Sequence, residues 1–134
     1  MKKVRFMRVV AILVVITSLY RHHPCRADSQ EDFFENRIRP VLSEHCIACH
    51  SNQAGKSNGG LKLDSRSGVF EGGESGPGVN FNDVRASLMV RAVRRQDTEV
   101  SAMPPDSRHL TEQQVLDLEK WIGDGAFYPD PIPA

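Results

Sequence analysis

At 134 residues the chain has room for one domain and a targeting segment, and its 17 basic and 17 acidic residues cancel to zero. The cancellation is uneven: residues 1–27 hold six basic and no acidic residues, so the remainder carries 11 against 17, a net charge of −6. A mildly acidic body is a poor partner for nucleic acid or for an anionic membrane surface.

The amino terminus reads as an export signal rather than as part of a fold. Lys2, Lys3, Arg5 and Arg8 precede an apolar run from Val9 to Tyr20, and Cys25-Arg26-Ala27 puts small residues where a signal peptidase reads. The run is shorter than the ~20 residues that cross a bilayer as a helix. Cleavage is therefore expected. It leaves a domain over residues 28–134 with its core at about 33–128, in the periplasm or an equivalent space, with no stable membrane span. Cys25 departs with the signal, which leaves Cys46 and Cys49.

A helix is predicted from Asp32 to about Glu44, where Phe33, Phe34, Ile38, Val41 and Leu42 recur at spacings of three and four. Pro40 interrupts that pattern and kinks or restarts it. The helix runs into Cys46-Ile47-Ala48-Cys49-His50, the spacing of a c-type haem attachment site. Two thiols so spaced can add across the haem vinyl groups as thioethers, and the adjacent imidazole is held as proximal iron ligand. The rival readings lack their context. A structural zinc site wants four ligands and finds no second cysteine pair. A thioredoxin-like pair wants a βαβ setting.

Residues 55–78 hold eight of the ten glycines. They read as a long ordered loop, with a short strand-like alternation at Leu61-Lys62-Leu63-Asp64 and with Leu61, Leu63, Val69 and Phe70 as candidates for burial. Its glycines suit a backbone lying close to a flat cofactor. Within it, Gly73-Glu74-Ser75-Gly76-Pro77 announces neither a catalytic triad nor a phosphate loop. A second helix is expected from Asp83 to Arg95, with Leu88, Met89, Ala92 and Val93 on its apolar face. Arg91, Arg94 and Arg95 then form a solvated face or dock an acidic partner, and Arg66 or Lys62 are candidates to pair with a haem propionate. Thr111 to Gly123 is the clearest helix: Thr111 and Gln114 make a capping box, and Val115, Leu118, Trp121 and Ile122 make the stripe.

For the sixth iron position the candidates are Met103, Met89, His109 and His45. Met103 has the best context, in an irregular stretch stiffened by Pro104 and Pro105. Its soft, neutral thioether favours ferrous iron and suits an electron carrier. Met89 fits a core filler, His109 would give a bis-histidine haem of lower potential, and His45 fits a polar helix-end residue.

Taken together, Ile38-Arg39-Pro40-Val41-Leu42, the Cys46–His50 motif, Gly59-Gly60-Leu61-Lys62-Leu63-Asp64-Ser65-Arg66, Gly72-Gly73-Glu74-Ser75-Gly76-Pro77 and Met103-Pro104-Pro105 resemble planctomycete-type cytochrome c domains. The likeness runs from Phe33 to about Tyr128. It implies an all-α, class I cytochrome c-like fold around one covalent haem c, with the first and last helices packed across each other. It also implies thioethers at Cys46 and Cys49 and iron ligation by His50 and Met103. Val79-Asn80-Phe81-Asn82-Asp83 departs from the Gly-Asp-Pro-like turn the family tends to carry there. The expected function is single-electron transfer between protein redox partners, with no substrate bond made or broken. The alternatives are a haem redox or sensor module of a longer, truncated exported enzyme, the usual family context, and a peroxidase-like activity at an open sixth site.

Overall fold

The computed structural model describes residues 29–53 and 55–129, so the signal expected over residues 1–27 lies outside the described residues. The described part is helix-rich with little strand. Ser29 caps the first helix, α1 (Gln30–Phe33), by accepting from the Asp32 amide at 3.0 Å. The chain then widens into a π-helical turn at Phe34–Ile38 and resumes as α2 (Arg39–His45), with Pro40 in the opening turn. The proline explains the three-part build. It has no N–H to give to the preceding turn and its ring crowds that turn's carbonyl, so the backbone opens just before it.

A two-stranded antiparallel ribbon follows, β1 (His50–Ser51) against β2 (Lys56–Ser57). The glycine-rich segment is more structured than a loop. It contains a 3-10 turn at Asn58–Gly60 and the helix α3 (Arg66–Glu71), capped by Ser65 accepting from the Gly68 amide. The strand-like alternation at Leu61–Asp64 forms no strand, and the short ladder lies just upstream. Leu63 and Val69 are buried as anticipated and Leu61 is partly buried, but Phe70 is 37% exposed and stacks on Phe81. The single helix expected over Asp83–Arg95 is two pieces: a 3-10 turn at Val84–Ala86, capped by Asp83, and α4 (Leu88–Arg94). Ser87 breaks them with extended backbone, and its hydroxyl accepts from the Asn80 amide at 2.8 Å. Last comes α5 (Glu112–Gly123), with the Thr111–Gln114 capping box made in both directions.

The core sits where α5 crosses the π-helical turn. Phe34 is wholly buried, with its ring 6.1 Å from Trp121 and 4.6 Å from Tyr128. Ile38, Leu42, Leu118 and Ile122 close around them. The first and last helices thus pack together as the resemblance implies. A half-exposed Arg37 holds the buried Asp117 of α5 at 3.0 Å across that contact. Trp121 donates its indole N–H to the Phe127 carbonyl at 2.6 Å, and the Tyr128 hydroxyl donates to the Leu63 carbonyl at 3.2 Å. The C-terminal segment thereby ties the helical core to the residues below the ribbon.

Candidate haem-binding site

Cys46 ends α2, and its carbonyl accepts from both the Cys49 amide (3.1 Å) and the His50 amide (3.0 Å). The motif therefore wraps into one tight turn. The turn is held from outside as well. The His50 carbonyl accepts from the Leu63 amide at 2.8 Å, and the Cys49 carbonyl accepts from the Asn58 amide at 3.1 Å. Asp64 Oδ2 accepts from the amides of Asn52 and Gln53 at 2.7 and 3.1 Å and fixes the bend after His50.

Beside this turn opens a cavity of about 570 Å³. Cys46 and His50 line one part of it. The glycine-rich segment supplies Leu61, Leu63, Gly73 and Gly76, and α4 with the segment after it supplies Met89, Val93, Val100 and Met103. The structure thus gathers Cys46, His50 and Met103 about one space. Cys49 is half-buried but is not part of the lining. Both thiols are free. Burial among apolar groups pushes the Cys46 thiol up to about 11, so at neutral pH it is a protonated thiol rather than a thiolate. A low-pKa redox cysteine needs the opposite surroundings.

The other candidates separate by position. Met89 lines the same cavity and also belongs to the core, so its expected role as filler describes only part of it. His109 is exposed and stands outside the lining. His45 is a helix-end residue with a buried side chain, its Nε2 3.8 Å from Glu44, and is also outside the lining. Lys62 and Arg66 do not reach the cavity, and the Arg66 guanidinium instead lies 4.7 Å over the Phe70 ring. Among the described residues no group of three or more His, Cys, Asp or Glu side chains gathers as a metal cage.

Two features test whether the cavity suits a haem. His50 Nδ1 is buried with no hydrogen-bond partner, so this imidazole is not committed to a structural hydrogen bond there. The wall is also made of backbone brought unusually close. Gly59 O accepts from the Glu74 amide at 2.7 Å, and a Cβ on Gly73 would lie 2.5 Å from that same oxygen. Glycine at 73 therefore lets two strands of main chain form one thin wall. The volume falls in the range of ~300–1,000 Å³ usual for cofactor pockets. The residues present fit the group.

The arginines of α4, expected as a solvated or docking face, are instead joined to their own chain. Arg91 pairs with Asp97 and reaches Glu99 at 3.5 Å, and Arg94 pairs with Glu119 of α5 at 2.7 Å. Arg95 donates to the Pro104 carbonyl at 2.5 Å. Sequence reasoning missed these ties. The Arg91–Asp97 pair had a local signal in its six-residue spacing, whereas the Arg94–Glu119 pair spans 25 residues and had none.

Fold and site together define a small helix-rich domain with a thiol–thiol–imidazole turn set against a largely apolar cavity. Residues 46–107 match the family model described as planctomycete cytochrome C, a match that supports a planctomycete-type cytochrome c domain over that stretch. A domain of this family implies haem c and electron transfer through it. The match starts at the first thiol and ends just past the Met103 loop, leaving α1, α2 and α5 outside it, a narrower span than the resemblance over Phe33–Tyr128. No curated protein and no solved structure matches the chain.

Proposed function

We propose that the protein is an exported monohaem c-type cytochrome that carries single electrons between protein redox partners. The observation that carries this reading is the convergence of Cys46, His50 and Met103 on one largely apolar cavity. Haem c, when bound, supplies a one-electron Fe(III)/Fe(II) couple. Cys46 and Cys49 would anchor it, each thiol adding its sulfur and hydrogen across one of the two vinyl groups. His50 offers its imidazole and Met103 its thioether as iron ligands. The neutral sulfur would favour the reduced state, and the apolar Leu61, Leu63 and Val93 that line the cavity would act in the same direction. Were both His50 and Met103 to ligate the iron, the site would favour electron transfer over peroxide chemistry.

The expected domain division, a signal over 1–27 and the cytochrome over 28–134, belongs to the same proposal. It is supported by the basic and apolar start of the chain. No helix among the described residues is long and apolar enough to cross a membrane.

The test is to produce the full chain in a host that attaches haem, then record its mass and its oxidised and reduced spectra. A mass increase of one haem, with c-type bands that survive acid–acetone extraction, is expected. A colourless product of unmodified mass overturns the proposal. Met103→Ala is expected to abolish the sulfur-to-iron band; retention of the unaltered spectrum would favour an open or differently ligated site.

A further inference from the structure

The geometry points to Arg95 as the residue that holds Met103 in place beside the cavity, an inference that rests on Met103 being the sixth iron ligand. α4 ends at Arg94, and Arg95 turns the chain with left-handed backbone, φ 57° and ψ 24°. That turn sends the chain out and back so that Met103 returns to the helix it left, where its amide donates to the Ala92 carbonyl at 3.0 Å. One residue later the Arg95 guanidinium reaches the Pro104 carbonyl at 2.5 Å. Met103 is thus gripped from both sides by the same helix end, once by main chain and once by a charged donor.

The middle of the loop is tied to the same helix. Arg91 pairs with Asp97, and Asp97 Oδ1 accepts from the amides of Glu99 and Val100 at 2.8 and 3.1 Å. Glu99, Val100 and Met103 all line the cavity, so this loop is one of its walls.

The reason Arg95 matters is the burial of Pro104. A carbonyl in a buried residue that loses its donor must find another or move toward water. The residue that would move with it is Met103. A thioether is a weak, neutral ligand, so its hold on iron depends on how little freedom the loop has when the sulfur is off. Arg95 removes that freedom, and is a positioning residue rather than a ligand.

The test uses the full-length, haem-loaded protein and three substitutions. Arg95→Asn removes the donor while tolerating left-handed backbone. Arg95→Gly does the same with a residue that prefers that conformation, and carries the test should the asparagine variant fail to fold. Arg95→Lys keeps a cationic donor. The readouts are the sulfur-to-iron band of the oxidised protein, its reduction potential, and the affinity of added imidazole for the sixth position. Losing a charged hydrogen bond is expected to tighten imidazole binding roughly tenfold in Arg95→Asn or Arg95→Gly, to weaken the band and to lower the potential. Arg95→Lys is expected to fall between these variants and the parent. An unchanged band and unchanged imidazole affinity in both Arg95→Asn and Arg95→Gly overturn the inference. So does a shifted potential with band and affinity intact, which would make Arg95 a nearby charge and not a splint. Met103→Ala separates the two levels. If it keeps the band, the ligand reading fails and takes this inference with it. If it loses the band while Arg95→Asn keeps it, only the role of Arg95 fails.

Discussion

The helical scaffold and the cavity wall solve different problems with different residues. Where α5 crosses the π-helical turn, stability comes from large apolar side chains with no freedom left: Phe34, Leu118, Trp121 and Ile122 are all 2% exposed or less. The wall built from residues 58–78 and 95–104 has few such side chains. It relies on glycine backbone, on the Ser65 cap and on arginine ties to carbonyl and carboxylate groups. The scaffold therefore depends on keeping its buried apolar volume, and the wall on keeping its hydrogen bonds and the close approach of its glycine backbone. A domain that must hold a large flat group needs both, since a wall of bulky side chains would fill the space.

The sharpest way to break this contrast is Trp121→Ala. It removes the largest buried side chain and leaves a cavity in the core, so a loss of about 3–5 kcal/mol in urea unfolding is expected; a loss below about 1 kcal/mol would mean that α5 is not the keystone described. Gly73→Ala attacks the wall. The added Cβ overlaps the Gly59 carbonyl oxygen, and a cost of about 1–3 kcal/mol is expected, together with reduced haem incorporation measured by pyridine haemochrome. Should stability fall while haem loading stays at the parent level, the close approach of the two segments does not shape the pocket. Thr111→Ala removes one half of the capping box and should cost about 1 kcal/mol with the visible spectrum unaltered, which would show that the scaffold can be weakened without touching the site.

The smallest effect concerns acid. The Arg91 guanidinium and the Glu99 and Val100 amides hold the Asp97 carboxyl at about 2, below the ordinary carboxylate value of 3.8. A depressed carboxylate contributes stability above its unfolded value and loses it as pH falls toward its folded value. The tie in the Met103 loop is thus present above about pH 4 and disappears toward pH 2. Amide protection in residues 95–104, corrected for the intrinsic exchange rate at each pH, is expected to fall across that window in the parent, whereas Asp97→Asn should show the lowered protection already at pH 7. Equal protection in both proteins at pH 7 would remove Asp97 from the account of the wall.

Much of the scaffold was readable from periodicity. The stripe of Phe34, Ile38 and Leu42 runs through the π-helical turn and the adjoining α2, that of Val115, Leu118 and Trp121 lies within α5, and the Thr111–Gln114 box is local, so each carries its own signal. Even the interruption at Pro40 was legible, although not its outcome as a π-helical turn. The wall was harder. α3 escaped notice because glycine at 68 and the glycines flanking it hide a six-residue helix whose stability comes from its Ser65 cap and from burial of Val69. The second helix was drawn too long because Ser87 carries no breaker signal. Its break is set by the hydrogen bond with Asn80, seven residues away.

By itself the sequence determined the thiol–thiol–imidazole spacing on which the proposed attachment rests, since two thiols and an imidazole within five residues need no distant partner to define it. It also determined the amphipathic helices and the net negative charge of residues 28–134. Only the tertiary structure decided which methionines reach the cavity beside Cys46, that His109 does not, and that the arginines of α4 grip their own chain. Those outcomes depend on contacts between segments tens of residues apart, and such contacts are settled by how the core closes, not by local spacing.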